Sequence, residues 1–168
     1  MSYATATDML TRFDADEIAQ RADRVMPRRV FGDLLTALAS GGDTSGFEPA
    51  DVAQGQVAMT RLQRALDDAR DTVDSYISAR YTLPISPVPA ILQRTACDLA
   101  RFYLYDDNAT EQVKDRHTVA MKLLADVRDG RAQLGAESTT GEQPVSTASA
   151  ELVSGGKVWS RPNSQGYI

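Results

Sequence analysis

Apolar side chains recur along this chain at steps of three and four residues, and the rhythm fails at a few short, well-marked places. The longest in-phase stretch runs from residue 49 to 81, with no proline after Pro49 and Gly55 as its one glycine. Leu62, Leu66, Ala69, Val73, Tyr76 and Ile77 fall on one face, while Arg61, Arg64, Asp67, Asp68, Arg70, Asp71 and Asp74 fill most other positions. That spacing predicts one long amphipathic helix, and Pro49 suits its first position. About 30 residues at a rise of about 1.5 Å each reach about 45 Å. Such a length suggests that part of the helix supports something beyond its own core.

Two more helices follow. Residues 90–105 carry a stripe of Leu92, Ala96, Leu99 and Tyr103, with Ile91 and Phe102 beside it. Residues 111–129 carry Val113, His117, Ala120, Leu124 and Val127. Thr110 is the expected cap of the latter, and Gly130 stands where a left-handed C-terminal cap is expected. Shorter helices are predicted near the N-terminus. One covers residues 8–13, capped by Thr5 or Thr7, and a second covers 17–25, opened by Asp14 or Asp16 and ended or bent by Pro27. A third covers 30–38, with Phe31, Leu34, Leu35 and Leu38 on its apolar face. The glycine-rich residues 40–46 and residues 106–109 are turns. Leu83 to Pro89 holds three prolines, which lack an N–H and push their predecessors to extended geometry, so a stiff corner is expected.

The resulting picture is all-α: a small helical bundle over residues 1–135 with one long central helix and a proline-rich corner. Beyond it the pattern changes. Residues 136–157 are rich in Ser, Thr, Gly and Glu and offer only Val145, Leu152 and Val153 as large apolar groups. Burial there falls short of offsetting ordering entropy, which predicts a flexible polar tether. The tether ends in an extended C-terminal arm, residues 158–168, bearing Tyr167 and the chain's one tryptophan, Trp159.

Composition adds exclusions. Hydrophobic residues make up 42% of the chain, enough for a core, yet no apolar run approaches the ~18–20 residues of a membrane span. The N-terminus has no basic flank leading into an apolar segment, so a secretion signal is not expected. One cysteine, Cys97, allows no internal disulfide and suits a reducing cytoplasm. A net charge of −5 gives no general attraction to nucleic acid.

The enzyme reading fares poorly. His117 is the one histidine, which rules out a multi-histidine metal site, and its place on an apolar stripe reads as a core or boundary histidine. Cys97 lies mid-helix among apolar neighbours, as a buried inert thiol does. Gly155-Gly156-Lys157 lacks the upstream glycine of a phosphate loop. Asp67, Asp68, Asp71 and Asp74 are interleaved with Arg64 and Arg70, the pattern of a solvated, salt-bridged face. Arg21, Arg24, Arg28 and Arg29 are diluted by Asp23 and Asp33, and no stacking aromatic is interleaved. No catalytic, cofactor-binding or metal residue is assigned.

Several blocks together carry a family resemblance. Residues 71–84 (DTVDSYISARYTLP), then Pro87-Val88-Pro89, then residues 96–105 (ACDLARFYLY) are similar to the Mu-like phage family of head–tail connector, or neck, proteins. Residues 3–13 (YATATDMLTRF) and 123–135 (LLADVRDGRAQLG) fit the same pattern. Residues 27–50 run longer than in the simplest members. The resemblance implies a non-enzymatic helical subunit of the virion neck, assembled in the host cytoplasm without cofactor or membrane. It would form a homo-oligomeric ring beneath the portal, twelvefold by analogy, that prolongs the DNA channel and offers a face to downstream neck or tail proteins. DNA would pass through it without specific binding.

Within that frame Tyr76, Arg80, Tyr81, Leu83 and Pro84 are candidate partner contacts. With the rest of the corner they would set the angle between the two main helices. The competing reading is intramolecular packing, the usual fate of aromatics at helical spacing. Trp159 and Tyr167 are candidate contacts on a neighbour, through an arm that orders on assembly; the competing reading is a passive tail. Two other functions stay open: a monomeric helical interaction module or assembly regulator, and a DNA-binding helical protein.

Overall fold

The computed structural model describes residues 2–135, and among them it contains six α-helices and no strand. The helices are α1 (Ala6–Arg12), α2 (Ala15–Ala22), α3 (Gly32–Ser40), α4 (Pro49–Ile77), α5 (Ala90–Tyr105) and α6 (Glu111–Arg128), with a 3-10 turn, Asp106–Asn108, before the last. Local chemistry sets most of the ends. Thr5 and Asp8 cap α1 reciprocally, Asp14 accepts from the Glu17 N–H at the start of α2, and Thr110 accepts from the Val113 N–H at the start of α6. Pro49 opens α4, and Gly130, at φ +78°, turns the chain after α6 where a side chain would be strained.

Helices α4 and α5 form the central pair. α1, α2 and α3 pack against it, whereas α6 touches α4 and α5 and none of the first three helices. The described body is thus layered: small N-terminal helices, the α4–α5 pair, then α6. The stripe read from the sequence of α4 is the buried one, with Leu62, Leu66, Ala69, Val73 and Ile77 in the core and Tyr76 at its edge.

Other expectations shift. α2 ends at Ala22, three residues early, because Asp23 turns its carboxylate back to bond the following loop. α3 begins at Gly32, so Phe31 is the residue before the helix and is 52% exposed instead of lying on the buried face. Gly32 is required there: a β carbon would meet the backbone of Ala15 and Asp16 at 2.8–2.9 Å. The largest difference concerns α5. Leu92, Ala96 and Leu99 of the predicted stripe are buried and Tyr103 is half-buried, but Thr95, Asp98, Arg101, Leu104 and Tyr105 are buried as well. Polar residues hid its central position, since Arg101 and Tyr105 find their partner, Glu17, only across a helix boundary. The peptide bonds before Pro27, Pro84 and Pro87 are cis.

Candidate assembly surfaces

The predicted contact residues at the end of α4 converge on the far end of α6. Tyr81 is buried, and its hydroxyl accepts a hydrogen bond from the Leu134 N–H at 3.0 Å. The Arg128 guanidinium lies over the Tyr76 ring, 5.5 Å from its centroid. Arg80 reaches Gly130 so closely that a β carbon there would stand 2.5 Å from its Nη1. Leu83 is half-buried against the core and Ile85 is buried, while Pro84 and Pro87 face solvent. Tyr76, Arg80 and Tyr81 therefore clamp α4 to the segment that closes the described body. Residues 84–89 form one wall of a groove of about 580 Å³, and Leu134 and Gly135 form the other. Trp159 and Tyr167 lie outside the described residues.

A second surface is built by the loop from α2 to α3. Asp23 organises it: its carboxylate accepts from the N–H groups of Val25, Arg29 and Val30 at 3.1, 2.8 and 2.9 Å, and from the Gln54 amide at 3.0 Å. Burial raises its pKa, but these bonds outweigh burial and hold the carboxyl below its usual range. Arg61 of α4 donates to the Ala22 carbonyl at 2.9 Å. The basic residues of the loop are committed locally. Arg28 bonds Asp16 at 2.7 Å and covers the Phe31 ring, Arg29 pairs with Asp51 at 3.2 Å, and Arg24 with Asp106 at 3.4 Å.

Apolar groups are what this loop leaves uncovered. Met26 is 89% exposed, with Val25 and Phe31 beside it in the chain. Val57 of α4 is exposed too, on the helical face bracketed by Gln54 and Arg61, which both reach the loop. On the opposite layer Val119 of α6 is 63% exposed, and Ile91 opens α5 half in solvent. The stripe reading passed over Val25, Met26, Val57 and Val119, though it set Phe31 on an apolar face and Ile91 beside one. Their signal is phase: Val57 and Val119 fall outside the in-phase stripes of their helices.

The interior is polar at two places. Glu17 of α2 receives Arg101 of α5 through two bonds of 2.7 and 2.8 Å, and the Tyr105 hydroxyl at 2.7 Å. Arg101 also lies over the Phe13 ring, and Arg21 over that of Tyr105. Asp98 is buried between Arg94 at 3.7 Å and Arg116 at 3.8 Å, and its Oδ1 has no hydrogen bond among the described residues. His117 stacks on Phe102 with centroids 3.9 Å apart, and burial lowers its pKa. Burial, with the nearby Asp8 charge, pushes the Cys97 thiol up to about 12. Tyr3 donates to Asp74, while Asp67 and Asp71 share Arg70. Glu17, Arg101 and Tyr105 join α2 to α5 and Tyr3 ties the N-terminus to α4, whereas the Arg70 pairs lie within α4. Among the described residues no group of three His, Cys, Asp or Glu side chains is gathered as a metal ion requires, and no helix is long and apolar enough to cross a membrane.

Comparison with known proteins gives three matches. A family model described as Bacteriophage Mu, Gp36 matches residues 3–153. The Mu-like prophage FluMu protein gp36 of Haemophilus influenzae is 39% identical over 108 residues, which is 64% of this chain and 76% of that protein. Gene product J of Escherichia phage Mu is 30% identical over 168 residues, the full length of both.

Proposed function

This chain belongs to the bacteriophage Mu Gp36 family, and on that premise we propose that it is a structural subunit of a phage neck. Copies of it form a ring that joins the portal of the DNA-filled head to the tail and prolongs the DNA channel. The observation that supports the reading is exposed apolar side chains on two different layers. Met26, Val25 and Val57 lie on one side of the α4–α5 pair, and Val119 projects from α6 on the other. A head-to-tail contact between two different patches, repeated around a closed axis, generates a ring, whereas a twofold dimer uses one patch twice. The net charge of −5 agrees with a channel wall that DNA slides past.

Size-exclusion chromatography with light scattering, with and without the portal protein, tests this. A ring-sized species is expected, and Met26→Glu or Val119→Glu should each shift it toward monomer with the helical fold intact. A monomer under both conditions would refute the ring.

A further inference from the structure

The groove at the proline corner opens where the described chain ends. Buried Ile85 anchors one wall, so the rings of Pro84, Pro87 and Pro89 are presented on a fixed backbone. The other wall is held as firmly, because Leu134 is buried and its N–H is bonded to Tyr81. At about 580 Å³ the space falls within the range of concave sites that enclose a compact ligand. Gly135 lies on its rim, so everything after residue 135 leaves from the groove itself.

Trp159 follows about two dozen residues later, along a stretch rich in Ser, Thr and Gly. A random coil of about two dozen residues has a root-mean-square span of about 27 Å. Tethering at such a distance gives an effective concentration on the order of millimolar, an advantage that no free partner of modest affinity shares. The chemistry matches as well. Proline rings and indole faces pair in proline-rich recognition, and here the prolines are the fixed receptor and the indole the incoming group. Thr82 and Ser86 stand exposed beside the prolines as polar groups for the indole N–H.

We propose that residues 158–168 dock into this groove of their own chain, with Trp159 as the anchor. The proposal stands apart from the ring: it concerns a single subunit and holds whether or not copies assemble.

Because Trp159 is the one tryptophan, its fluorescence in the full-length protein reports on docking directly. The expected result is emission blue-shifted, and less quenched by acrylamide, relative to a synthetic peptide of residues 155–168, with no change on dilution. The variant Thr82→Glu/Ser86→Glu, altering two exposed rim positions, should return the emission to that of the peptide while far-ultraviolet circular dichroism stays helical. If the double variant fails to fold, Thr82→Glu alone supplies the same comparison. Peptide-like emission in the unaltered protein would overturn the proposal. So would a blue shift that the rim variants leave intact, or one that fades on dilution, since that would place the tryptophan on a second copy.

Discussion

Toward α2, helix α5 is joined by charge: Glu17 takes both nitrogens of the Arg101 fork and the Tyr105 hydroxyl, and aromatic rings cover the guanidinium. The neighbouring loop hangs on the Asp23 carboxylate. Toward α6, most of the contact is made by Val113, Ala120, Leu124 and Val127, joined by His117 stacked on Phe102, by Arg116 at 3.8 Å from Asp98, and by the Tyr81 hydroxyl beyond the helix end. The two sides answer to different physics. Charge-assisted bonds fix direction and register and depend on protonation. Apolar packing depends on volume and is indifferent to pH. A subunit built this way fixes its irregular N-terminal layer with directional bonds. Its regular α6 layer is held mainly by apolar packing.

Four substitutions probe the contrast. Leu124→Ala should cost about 3–4 kcal/mol by opening a cavity under α6, a loss that thermal or urea denaturation should find equal at pH 5 and pH 7. Asp23→Ala should cost about 3 kcal/mol at neutral pH, since it strands three amide N–H groups and the Gln54 amide. That cost has a pH signature. The folded carboxyl lies below its unfolded value of about 4, so its contribution is complete above that value and drains away as pH falls through the folded pKa. Stability of the unaltered protein and of Asp23→Ala should therefore converge in acid, and parallel curves would show that Asp23 acts by shape alone.

Arg101→Met removes the fork from Glu17 and, with it, the guanidinium that lies over Phe13. A loss of about 2 kcal/mol is expected, below that of a fully buried pair because Glu17 retains some solvent contact. A melting temperature unchanged by Arg101→Met would show that the buried apolar residues of α2 hold it without the Glu17 pair. Tyr81→Phe is the mildest, at about 1 kcal/mol, because it deletes one hydroxyl and leaves the Leu134 N–H without its acceptor. Hydrogen exchange should localise that loss to the end of the described body.

Much of the framework is legible in the residues themselves. Thr5, Asp14 and Thr110 announce helix starts, Gly130 announces a stop, and the α4 stripe from Leu62 to Ile77 is the buried face. The surfaces are less so. Tyr76, Arg80 and Tyr81 stand out as aromatic and basic groups before a proline corner, but nothing in their spacing says that they turn toward Arg128, Gly130 and Leu134. Met26 and Val119 are marked only by being apolar where the rhythm does not call for it.

By itself the sequence determined the number and order of the helices, the breaks between them and the caps at Thr5, Asp14 and Thr110, because those follow from interactions within about four residues. Only the tertiary structure decided that α5 is buried nearly all round and that Glu17 meets Arg101 across 84 positions of chain. The same holds for Asp23, which gathers a loop up to seven residues ahead and an amide from α4. A buried charge is stable only where its partners arrive together, and their arrival depends on how whole helices stack.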